Sequence, residues 1–84
     1  MKELLDSEVQ RFNYMYPRSC VRFAEIIGRR VSHITGCDDE LHVQEQRVPV
    51  NQRIVMFVEN REDISDAELE RFAVQVAAMI GDTA

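Results

Sequence analysis

His33, Cys37 and His42 fall within ten residues of one another, and Asp38 and Asp39 sit among them. All are ligand types that zinc accepts. Zinc sites in small domains, however, bring their ligands in closely spaced pairs, and no C-x-x-C is present. The spacing predicts no bound metal and no cofactor: His33 reads as a helix-end residue, Cys37 as a turn residue and His42 as an exposed strand residue. Cys37 with either histidine can also be drawn as a thiol–imidazole pair. Such a pair needs an orienting group, an oxyanion donor and a walled pocket. No nucleophile elbow supplies them, and the neighbouring Asp38 and Asp39 disfavour a thiolate. The carboxylates at Glu62-Asp63 and from Asp38 to Glu40 read as solvated turn charges. Gly28, Gly36 and Gly81 are too scattered to cradle a phosphate. The expectation is a protein that is not an enzyme.

Arg18, Arg22, Arg29 and Arg30 form the other chemically active set. Placed on one helix they would make a charged face able to contact phosphates. Glu25 lies in the middle of that face, within helical pairing distance of Arg22 and Arg29, and no aromatic side chain interleaves them to stack bases. Fifteen acidic residues against ten basic ones give a net charge of −5, so a charged face turned to solvent or to a protein is expected over nucleic-acid contact.

The elements that must position these residues follow from periodicity. Leu5, Val9, Phe12 and Tyr16 mark one face of a first helix, which Pro17 stops. Cys20, Phe23, Ala24, Ile27, Val31 and Ile34 recur at helical spacing and predict a second helix. Ser19 caps it, Gly28 lies inside it to admit a close backbone, and Gly36 ends it. Glu40 to Val48 alternates as a half-exposed strand, and Pro49 marks that strand as an edge. Ile54 to Val58 is a continuous apolar run, expected as a strand buried on both faces. Ser65 and Glu68 form a capping box, flanked by Ile64 and Leu69 as a hydrophobic staple. The stripe Leu69, Phe72, Ala73, Val76, Met79 and Ile80 follows, and Gly81 ends the helix.

The resulting order is α-α-β-β-α: a small single α+β domain over residues 1–84, with an antiparallel β-hairpin packed against helices. This order is similar to part of a KH module, but the GXXG loop of that module is absent and Tyr16-Pro17-Arg18-Ser19 stands in its place. With 84 residues the chain suffices for one small domain, and 45% apolar and 30% charged residues match a globular composition. No apolar run is long enough to span a membrane, and the N-terminus does not read as a secretory signal. Two cysteines permit at most one bridge, which favours a cytoplasmic setting.

The last helix carries an apolar surplus. Val74, Ala77 and Ala78 cover the side opposite Leu69 and Val76, where a surface helix would carry charges. They are the expected partner or dimer interface. The function expected is a non-enzymatic protein-binding module: a small acidic adaptor, chaperone or inhibitor of bacterial type that docks on a protein partner as a homodimer. The alternative is a nucleic-acid-associated regulator using Arg18, Arg22, Arg29 and Arg30.

Overall fold

A computed structural model describes residues 2–37 and 45–81. The order is α1 (Lys2–Met15), β1 (Cys20–Ile27), β2 (Arg30–Gly36), β3 (Glu45–Pro49), β4 (Ile54–Glu59) and α2 (Asp66–Ile80). The α+β class and the hairpin packed on helices hold, with four strands where the periodicity predicts two.

α1 buries Leu5, Glu8 and Phe12 along one face, with Val9 packed beside them. Its chain turns at Pro17, where the Tyr16 carbonyl accepts the Ser19 amide at 3.1 Å. The buried Glu8 carboxylate is held by Arg11, whose Nε donates to it at 3.0 Å. Pairing of this kind is what makes a buried charge tolerable.

The second helix expected over residues 19–36 is a β-hairpin instead. β1 and β2 run antiparallel from Ile27↔Arg30 to Arg22↔Gly36, joined by Gly28-Arg29. Gly28 has φ 62°, as the first central residue of a two-residue hairpin turn requires. A Cβ there would touch nothing within 4 Å, so Gly28 admits no close backbone. That role belongs to Gly36 (φ 111°), where a Cβ would overlap the Val21 carbonyl and the Arg22 backbone. The helical spacing arises because β1 lies inside the sheet. Val21 and Phe23 face the helices, while Ala24, on the opposite face, is also fully buried. Burial on both faces gives i, i+3 and i+4 repeats that strand pleating alone would not. With no second helix, the likeness to a KH module lapses.

The four strands form one antiparallel sheet in the order β2-β1-β4-β3. β4 is central, as its uniform apolar run predicts, and β3 with Pro49 is an edge. The N-terminal part of the expected strand from Glu40 falls outside the described residues up to 44; Glu45–Pro49 is strand. Asn51 shapes the β3–β4 turn, its side-chain oxygen accepting from the Arg53 and Ile54 amides at 2.8 and 2.7 Å.

Both helices cover one face of the sheet. The core joins Leu5 and Phe12 of α1, Val21 and Phe23 of β1, Ile54, Met56 and Val58 of β4, and Leu69, Phe72 and Val76 of α2. Phe12 meets Phe72 edge-on at 5.2 Å, an arrangement that stabilises by about 0.5–1.5 kcal/mol beyond area burial. α2 begins as expected: Ser65 Oγ accepts the Glu68 amide at 3.2 Å, and Ile64 and Leu69 are buried beside the cap.

Candidate functional site

α2 presents two unlike faces. Leu69, Phe72, Ala73 and Val76 are buried in the core. Val74 is 67% exposed and Ala78 is exposed, while Ala77 is half-buried between the two faces. Met79, placed by its spacing with the core stripe, is instead 49% exposed, on the flank of α2 about 140° around from Val74. The apolar side lies next to an edge of the sheet. Between α2 and β3 runs a groove of about 450 Å³, whose walls include Val48, Pro49, Leu69, Ala73 and Val74. A second hollow of about 500 Å³ lies between Val50 and Asn51 on one side and Ala77, Ala78 and Gly81 on the other. A strand edge, a proline without an N–H and a row of small helical side chains thus make one continuous open surface. Gln46, Arg47, Asp66 and Glu70 also line the first groove, so its apolar strip is rimmed by charge, whereas the second hollow bears none. An apolar centre with a polar rim is the build of a protein-docking surface.

The arginines do not share a face. Arg18 precedes β1 and Arg29 follows it, separated by an eight-residue strand of about 26 Å at about 3.3 Å per residue. Arg22 is committed elsewhere, on the sheet face away from the helices. Its Nε and Nη2 donate to the two carboxylate oxygens of Glu45 at 2.9 and 2.8 Å, and its guanidinium lies 4.2 Å from the centre of the Phe57 ring. Arg47 approaches the same ring at 6.0 Å. A bidentate, ring-stacked arginine is fixed in place and offers little to a phosphate. Arg29 and Arg30 stay together at the exposed hairpin tip, and neither makes an ion pair among the described residues. Sequence reasoning missed the Arg22–Phe57–Arg47 stack, because cross-strand neighbours are defined only by register.

The ligand-type residues are also dispersed. Cys37 is joined to Cys20, with Cα atoms 6.0 Å apart, which ties the residue after β2 to the start of β1. Neither sulfur is then available as a nucleophile or a ligand. His33 is exposed on β2, and His42 lies outside the described residues. Among the described residues no three His, Cys, Asp or Glu side chains stand together as a metal site would require.

Where α1 meets α2, polar contacts cross the joint. Tyr16 donates its hydroxyl to Glu68 at 3.1 Å, and Arg11 donates to Gln75 at 3.2 Å while lying 4.7 Å from the Phe72 ring centre. Burial, the hydrogen bond and the charge of Glu68 push the Tyr16 phenol above its ordinary value. These contacts clamp the two helices together beside a hollow of about 320 Å³, in which the Tyr16 hydroxyl and the Glu68 carboxylate are engaged with each other. No family model matches the chain, no curated protein matches it and no solved structure matches it. Among the described residues no helix is long and apolar enough to cross a membrane.

Proposed function

We propose that this chain is a non-enzymatic protein-binding module, a small acidic adaptor, chaperone or inhibitor that docks on another protein, and that it works as a homodimer. The observation that carries the reading is the outward face of α2. Val74 and Ala78 lie open there although the opposite side of the same helix already closes the core. Small side chains at 77 and 78 let a second helix approach closely, and twofold self-pairing is the commonest way to cover such a patch. The cytoplasmic setting expected from the cysteine count stands against the Cys20–Cys37 bridge, since such bridges persist where the medium is oxidising.

Sedimentation equilibrium tests the dimer. The unaltered chain is expected to run as a dimer, and Val74→Glu or Ala78→Glu as a monomer, because each places an unpaired charge in the interface. A monomeric unaltered chain would remove the homodimer and leave this face for a different protein. Affinity capture from the native host then tests the docking reading; bait that retains no protein above a scrambled control would defeat it.

The alternative, a nucleic-acid-associated regulator, retains only Arg29 and Arg30 as an adjacent uncommitted pair. Binding of DNA or RNA that weakens steeply with salt would favour it.

A further inference from the structure

The edge of the sheet opposite α2 belongs to β2, and its backbone is turned outward. In a two-residue hairpin the closing pair, Ile27↔Arg30, exchanges hydrogen bonds, and pairs alternate from there. Ile26↔Val31 is therefore a pair without them. An independent contact agrees: the Ile26 amide donates to the Arg53 carbonyl at 2.7 Å, away from β2. The N–H and C=O of Val31, and by the same alternation those of His33 opposite Ala24, point to the open edge. Residues 30–33 are all exposed. Unlike β3, this edge carries no proline, and α2 does not lie beside it.

We propose that the β2 edge receives an extended acidic segment of a partner protein as an added antiparallel strand, with an apolar side chain of that segment beside Val31. The inference rests on the docking function proposed above and gives it a site and a partner chemistry. Val31 and His33 supply the main-chain donors and acceptors that strand addition uses. Val31 is 47% exposed and Ile27 55% exposed, so an incoming strand also gains apolar contact.

Charge selects the occupant. Arg29, Arg30 and His33 line this edge, and neither the turn nor β2 contains a carboxylate. Among the described residues, Glu25 is paired with Arg53 at 2.8 Å, and Asp6 stands at the far end of β2, where it accepts from the Thr35 hydroxyl. Pairing β2 with a second copy in the register that sets Val31 against Val31 would crowd four arginines with no β2 carboxylate between them, and like charges across a strand junction destabilise it. An acidic strand is attracted by the same groups.

The test uses the full chain and two fluorescent peptides, one of alternating glutamate and valine and one of alternating lysine and valine. The acidic peptide is expected to bind and to slow amide exchange at Val31 and His33. Val31→Pro removes one outward N–H without touching the β1 pairing and should weaken binding by roughly tenfold or more. Arg29→Glu with Arg30→Glu, both outside the core, should weaken it by a similar factor of about ten and reverse the peptide preference. Tyr14→Ser, at an exposed α1 position with no part in either surface, should leave binding unchanged. No binding of the acidic peptide, equal binding of the lysine peptide, or protection at another strand would overturn the proposal. So would a dimer that Val31→Pro splits and Val74→Glu does not, since the edge would then be filled by a second copy. Failure here together with a partner still captured from the host leaves the docking function standing at another surface; failure of both removes it.

Discussion

At the scale of single residues, Ser65 and Tyr16 decide how α2 is held. Ser65 accepts the Glu68 amide, one of the first-turn donors that a helix cannot satisfy internally. The Glu68 carboxylate meanwhile takes the Tyr16 hydroxyl, so cap and helix–helix clamp meet at one residue. Ser65→Ala should cost about 1 kcal/mol, seen in chemical denaturation as a lower midpoint with unchanged slope. Tyr16 carries a pH dependence. Its phenol ionises around 10.0 when unfolded and higher when folded. The protonated phenol is therefore favoured by folding, and its contribution is fully present below pH 10.0. It is lost as the pH rises through the folded value, because the unfolded chain gives up its proton first. Denaturation curves at roughly pH 8 and pH 11 should show a larger loss of stability for the unaltered chain than for Tyr16→Phe. Equal losses would mean that the hydroxyl is free in solution.

At the scale of elements, the β1–β2 hairpin depends on two glycines with different duties. Gly28 needs only a left-handed backbone, whereas Gly36 needs that backbone and the absence of a side chain against Val21 and Arg22. Gly28→Ala should cost about 1–2 kcal/mol, the strain of the turn alone. Gly36→Ala adds overpacking against main chain that cannot move aside, for about 2–5 kcal/mol in all. Thermal melts of the two variants should rank in that order; the reverse ranking would move the close approach to the turn.

For the whole molecule, the bridge between Cys20 and Cys37 closes the first hairpin. With a sequence separation of 17 it removes about 3 kcal/mol of unfolded-state freedom. The double variant Cys20→Ser, Cys37→Ser should be less stable by about that amount without reductant, and the gap should close when a thiol reductant is added to both proteins. A gap that survives reduction would assign the effect to packing. The bridge lies at the end of β1 remote from the hairpin tip, so the α2 face and the β2 edge remain on opposite sides of a fixed sheet. Self-pairing through one surface can then leave the other free.

The amino-acid sequence by itself determined the elements that local chemistry can mark. α1 is legible in its 3.6-residue stripe and in Pro17, and α2 in the Ser65 cap and staple. β4 shows in five apolar residues in a row, and the β3 edge in Pro49. The outward lean of Val74 and Ala78 was equally legible, because one helical stripe already accounts for the core. Residues 19–36 were decided by tertiary structure. The sheet buries Ala24 on one face and Phe23 on the other, so burial follows strand neighbours rather than a helical face, and the same apolar spacing serves either geometry. Val21, Ile26, Ile27 and Val31 around Gly28 were the strand signal available. The Cys20–Cys37 pairing, the Arg22–Phe57 stack and the open edge at Val31 all come from register, a relation between segments that no local pattern encodes.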